Sequence, residues 1–224
     1  VQEWIYILVQ GKFITLFSFL FGLGFAVQME RATARGRSVS FYPRRLFVLL
    51  IFGLIHAWLI WWGDILIDYA LTGFLLFLFR KAKPKTIAIW AIGLFSVGPI
   101  QRIALFVWQE LLHHGANQAG GGGGDAQLQQ AIQHAISIYR DGAFWPRAQQ
   151  RFWDWFSFAS HMHFTIATYT MPRFLAGLWV WRTGVFHNLE AFVPKIKKIW
   201  VWALVLGVVF DVTAWTVFHF MDKG

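Results

Sequence analysis

The sequence predicts an all-α fold: a polytopic bundle of about six transmembrane helices, one transmembrane domain over residues 1–224. Three observations predict it. Of the 224 residues, 57% are hydrophobic and 14% charged, against about 25% charged in an ordinary soluble domain. The charges fall between apolar stretches instead of alternating with them, as solvation by lipid requires. The 14 Trp and 24 Phe supply the rings that collect at membrane–water interfaces.

The elements follow in order along the chain. The first span is read from Phe13 to Gln28 and the second from Leu46 to Trp62. Trp61-Trp62-Gly63-Asp64 reads as an interfacial aromatic pair, a turn and an N-cap, so spans two and three form a tight hairpin. The third runs from Ile65 to Phe79, and the fourth from Thr86 to Trp108 with an interruption at Gly98-Pro99. Residues 109–160 read as an extracytoplasmic loop region. Within it the run Gly120 to Gly124 has the composition of a flexible linker. Leu128, Ile132, Ile136 and Tyr139 follow at helical spacing and predict a short amphipathic helix. Phe152, Trp153, Trp155, Phe156 and Phe158 form an aromatic approach to the outer interface. The fifth span runs from Phe164 to Trp181 and the last from Ile199 to Phe220. Several are shorter than the ~20 residues a spanning helix prefers, which calls for tilt or local thinning.

Charge sets the orientation. Arg31, Arg35, Arg37, Arg44 and Arg45 follow span one; Arg80, Lys81, Lys83 and Lys85 follow span three; Arg182, Lys195, Lys197 and Lys198 follow span five. All three loops alternate to one side, the cytoplasm, which makes the chain a multi-pass protein of the cell membrane. Its partner is the lipid bilayer. The net charge of +9 is explained by these clusters, so nucleic-acid binding is not expected. The absence of cysteine excludes disulfides, thiolate metal sites and a Cys nucleophile. The start at Val1 and the stop close to an apolar span suggest a piece of a longer protein.

Ionisable residues inside apolar spans mark the candidate chemistry, because charge in hydrocarbon is expensive. His56 lies about 15 Å, Arg173 about 13 Å and Asp211 about 18 Å from the cytoplasmic side at 1.5 Å per residue. Two readings stay open: an Arg173–Asp211 ion pair beside a structural histidine, or a polar cavity in which His56 is a general base. Lys12, Asp64 and Asp68 gather near the outer face, as a structural contact or as a site for a charged substrate. Asp64 is expected to cap helix three. Arg44-Arg45 are either a topology anchor on lipid phosphates or a fork for the phosphates of a nucleotide-like cofactor. Ser18, Gly22 and Ala26 form a small-residue stripe for helix packing. His113-His114, His134 and His161-x-His163 are too irregularly placed to predict a metal site.

Several stretches together carry a family resemblance. Gly11-Lys12-Phe13 leading into Leu16-Phe17-Ser18-Phe19-Leu20-Phe21-Gly22, Arg44-Arg45 with Gly53-Leu54-Ile55-His56-Ala57, and Gly63-Asp64-Ile65-Leu66 with Tyr69-Ala70 do so. Tyr139-x-x-Gly142-x-Phe144 and Gly177 to Arg182-x-Gly184 add to it. The combination resembles the YeiB-like bacterial inner-membrane proteins of unknown function. The resemblance implies a central fragment of a longer protein, with further helices on both sides. That family is distantly similar to transmembrane acyltransferases such as heparan-alpha-glucosaminide N-acetyltransferase. Those pass an acyl group from cytoplasmic acyl-CoA, through a histidine, to a sugar on the far side. Their catalytic histidine matches no position here, and the role given to His56 rests on its place in span two.

Three functions compete. Acyl transfer to an extracytoplasmic small molecule or glycan rests on the resemblance, on Arg44-Arg45 and on His56. A small-solute transporter rests on Arg173, Asp211, His56 and the Pro99 break. A non-catalytic scaffold would use residues 109–160 as its contact surface. Substrate and oligomeric state stay open.

Overall fold

A computed structural model describes residues 12–113, 122–159, 166–194, 197–198, 200–202 and 205. Those residues form helices and turns, with no strand among them. Helix α1 spans Lys12–Ala34, α2 Phe41–Leu59 and α3 Leu66–Leu78, which ends in a 3-10 turn, Phe79–Lys81. Helix α4 spans Pro84–His113, α5 Gly122–Asp141 and α6 Phe144–Ala159. A π-helical turn, Ile166–Thr170, leads directly into α7, Met171–Arg182. Among the described residues α1 and α2 are long and apolar enough to cross a membrane by length and composition.

Three expectations are corrected. Gly98-Pro99 does not interrupt the fourth apolar segment, since α4 runs unbroken through Pro99 for 30 residues. A helix tolerates an internal proline where it can bend away from the ring and neighbours absorb the freed carbonyl. Residues 109–160 are mostly helix instead of loop. Helix α4 continues to His113, and α5 begins inside the glycine run and extends for 20 residues. The glycines lower helix propensity by about 1 kcal/mol each, yet the apolar spacing downstream carries α5 back into them. Helix α6 is a second amphipathic helix where only an aromatic segment was expected. The fifth apolar segment is not uniform either, because its first described turn is π-helical. The last segment, from Ile199 to Phe220, lies almost wholly outside the described residues.

The core forms where α1 meets α7 and where both meet α3. Phe21, Tyr69 and Phe174 pack ring on ring, with centroids 4.6 Å apart for Phe21–Phe174 and 5.2 Å for Tyr69–Phe174. The small-residue stripe makes this possible. A Cβ on Gly22 would lie 1.9 Å from the Phe174 carbonyl oxygen, and one on Gly177 would lie 2.1 Å from that of Phe19. Ser18 and Ala26 are buried on the same side of α1. Helices α2 and α3 form the expected hairpin. The His56 carbonyl accepts from both Ile60 N–H and Trp61 N–H, 2.9 Å each, which stops α2 and turns the chain. Helix α6 lies across the far end of α2, where Trp58 meets the rings of Phe152 and Trp155 and Arg151 Nε donates to the Trp58 carbonyl at 3.0 Å.

Candidate functional site

The hairpin places two groups that are eight residues apart against each other. His56 is in the last turn of α2, and Asp64 lies just past the reversal. His56 Nδ1 sits 2.8 Å from Asp64 Oδ1. The other carboxylate oxygen, Oδ2, accepts the Ile67 N–H at 2.9 Å, so Asp64 caps the start of α3 as expected. Both oxygens are thereby engaged, and the carboxylate is 1% exposed while the imidazole is 33% exposed. Gly53 makes the approach possible, since a Cβ there would lie 3.0 Å from Asp64 Oδ2 and closer still to Ile67.

This pairing has a chemical consequence. An ionised carboxylate only accepts hydrogen bonds, so in this pairing Nδ1 carries a hydrogen, and a neutral ring would keep its lone pair on Nε2. A carboxylate behind the ring fixes tautomer and orientation and stabilises the imidazolium formed when Nε2 takes a proton. Among the described residues no protein group bonds Nε2. An imidazole held in this way and partly exposed is chemically able to act as a general base.

One helical turn further along α3, Asp68 anchors a second polar group. It accepts from Thr170 Oγ1 at 2.5 Å and, more weakly, from Thr72 Oγ1 at 3.4 Å. Three residues past Thr170, the Arg173 guanidinium lies over the Tyr169 ring at 3.6 Å, donates from Nε to Thr15 Oγ1 at 3.1 Å, and donates to the Tyr169 carbonyl. Behind it, Tyr69 Oη and Ser18 Oγ are 2.8 Å apart, and Ser18 also donates to the Ile14 carbonyl at 2.7 Å. A polar seam thus crosses the bundle from α2 through α3 to the π-helical turn, a local geometry frequent at functional sites.

The residues read from sequence are distributed unequally over this seam. His56 and Asp64 are in contact, and Asp68 lies one turn on. His56 does not join Arg173 in a shared cluster through any described contact: the hairpin turns its ring toward Asp64, and Arg173 points to α1 and Tyr169. Asp211, the expected partner of Arg173, lies outside the described residues. Lys12 opens α1 on an exposed face. Arg44 and Arg45 line a groove at the opposite end of α2, where Arg45 donates to Gln28. Sequence reasoning missed Thr15, Thr72, Tyr169 and Thr170. Asp68 and Thr72 stand at i, i+4, and Thr170 and Arg173 at i, i+3, the spacings that put side chains on one helix face.

Together the fold and the seam describe an all-helical protein with apolar helices and a carboxylate–histidine pair at the turn between two of them. The chain is 41% identical over 210 residues, 89% of its length, to the uncharacterized protein YxaH of Bacillus subtilis (strain 168). It is 36% identical over 91 residues, 40% of its length and 22% of the relative's, to the uncharacterized protein YeiB of Escherichia coli (strain K12). An uncharacterized 39.9 kDa protein of Bacillus acidopullulyticus is 42% identical over 85 residues, 38% of this chain and 24% of that protein. The chain spans 50% of the length of YxaH. No family model matches the sequence, and no solved structure matches it.

Proposed function

We propose that the chain is part of a YeiB-like, multi-pass protein of the bacterial inner membrane, with about six spans and its basic loops cytoplasmic, that transfers an acyl group across the bilayer. Cytoplasmic acyl-CoA is the donor, its phosphates meeting the arginine cluster between α1 and α2. A hydroxyl- or amine-bearing small molecule or glycan on the far side is the acceptor. The observation that carries this reading is the 2.8 Å His56–Asp64 pair. Nε2 takes the acceptor's proton as its oxygen or nitrogen bonds the acyl carbonyl carbon. The carbon–sulfur bond of the thioester breaks, and the imidazolium returns the proton to the departing thiolate. Asp64 holds the ring throughout. Phe41 opens α2 and His56 lies about 22 Å further along it at 1.5 Å per residue, so the arginine-bearing connection and the base lie at opposite ends of that helix.

The full-length protein in proteoliposomes, given acyl-CoA and an amine or sugar acceptor, tests this through thiol release. His56→Ala and Asp64→Asn should each lower turnover by about 10²- to 10⁴-fold. Turnover indifferent to both substitutions would remove the dyad from the chemistry. Gradient-driven solute uptake that is lost in Arg173→Gln, with no thiol released, would replace the transferase with a permease.

A further inference from the structure

Between α1 and α2 runs an open groove of about 560 Å³. Its walls are hydrocarbon and rings, among them Leu20, Phe25, Val48, Leu49 and Phe52, and its mouth carries Gln28, Arg44 and Arg45. Gln28 also borders a second hollow of about 290 Å³ lined by Arg31, Arg35 and Arg37. Among the described residues no carboxylate lies within ion-pair distance of Arg44 or Arg45. The groove wall contains one further polar group. Tyr42 is 3% exposed, and its buried hydroxyl has no hydrogen-bond partner.

We infer that this groove is a binding site for one anionic phospholipid of the cytoplasmic leaflet, with its phosphate at Arg44 and Arg45 and an acyl chain along Leu49 and Phe52. The inference rests on the membrane reading above but not on acyl transfer. Arginine forks suit phosphate oxygens. Below that mouth the walls give a hydrocarbon chain continuous apolar contact, whereas the base and ribose of a nucleotide would find no polar partner. Arg44 and Arg45 thus belong to the bilayer, and Arg31, Arg35 and Arg37 remain for a soluble anionic co-substrate.

Native mass spectrometry of the full-length protein, released from nanodiscs of phosphatidylcholine containing phosphatidylglycerol, tests the site. One phosphatidylglycerol should be retained over phosphatidylcholine by about tenfold. The Arg44→Gln/Arg45→Gln double variant should bring the two lipids to parity. Tyr42→Phe keeps the ring against Phe25 and Phe77 and removes a hydroxyl that is shut off from the groove, so it should leave retention unchanged. Equal retention in the native protein, or a preference that survives the double variant, overturns the site while leaving the membrane reading intact. One-for-one displacement of the lipid by acyl-CoA also overturns it and gives the arginine pair to the co-substrate. A protein that needs no detergent or lipid to stay monomeric overturns the membrane reading and the lipid site together.

Discussion

Helices α1 and α2 are alike in composition and in their fitness to cross a membrane, yet they meet their neighbours in opposite ways. Helix α1 touches α7 backbone to backbone through Gly22 and Gly177, with buried rings on either side of the contact. Helix α2 leaves Phe47, Val48, Ile51, Phe52 and Ile55 exposed, and it is held at its hairpin end through Asp64, Ile67 and α6 and at its start through Tyr42 and Leu46 in the core. In the membrane proposed above, helices gain little from hiding apolar surface from each other, so close contact requires small residues and hydrogen bonds. The difference therefore lies in Cβ atoms more than in hydrophobicity. Where they are absent the helices lock, and where large side chains line both sides a groove stays open.

The sharpest way to break this comparison is to add bulk at the locked contact. Gly22→Val or Gly177→Val would drive a side chain into a neighbouring carbonyl, which no rotamer change relieves. Each should destabilise by about 3 kcal/mol or more, and most folded protein should vanish from size-exclusion profiles of a fluorescent full-length fusion. Phe52→Val on the open face is the matching control and should stay within about 0.5 kcal/mol. Equal losses at the two places would mean that the groove is packed after all.

A smaller effect is expected where the locked region meets the polar seam. Thr170→Val leaves an Asp68 oxygen without its 2.5 Å donor and should cost about 1–3 kcal/mol in thermal unfolding. Thr170→Ser should recover most of it. An unchanged melting point in Thr170→Val would show that Asp68 finds water or another donor.

The smallest effect concerns the helices at the hairpin end of α2. Tyr139 donates to Asp154 Oδ2 at 2.5 Å and so ties α5 to α6. Burial first, and then this hydrogen bond and the carboxylate charge, push the Tyr139 phenol above its usual value. A raised folded value means that the tie is fully present below the ordinary tyrosine range, near about 10, and is lost only as pH climbs through the higher value. Protection of the α5 amides, taken relative to their intrinsic base-catalysed exchange, should therefore hold at pH 9 and fall well above 10, while that of α1 and α7 is unchanged. Tyr139→Phe should exchange faster by about fivefold, near 1 kcal/mol, and show no such dependence on pH. Quickening at the same pH in the native protein and in Tyr139→Phe would exclude the phenol as its cause.

Much of this was legible in the sequence, and the pattern of what was not is physical. The small-residue stripe Ser18-Gly22-Ala26 foretold a close contact because only missing Cβ atoms permit one. The Trp62-Gly63-Asp64 turn foretold the hairpin and the cap because local chemistry sets both. The pairing of His56 with Asp64 follows from that hairpin, but depth counted from the cytoplasmic side pointed to Arg173 instead. Depth ranks residues along one axis and says nothing of which face of a helix they occupy. The extent of α4 through Pro99, and of α5 into the glycines, was hidden because each element overrides an unfavourable local preference. The Asp68–Thr170 bond joins residues 102 apart, a separation that no periodicity reveals.

The Asp64 carboxylate faces in two directions, one oxygen toward an imidazole and the other toward the first free amide of α3. Reactivity and helix winding therefore share one anchor. Replacing Asp64 would therefore free the ring and the first turn of α3 together, and that turn leads to Asp68 and its bond to Thr170.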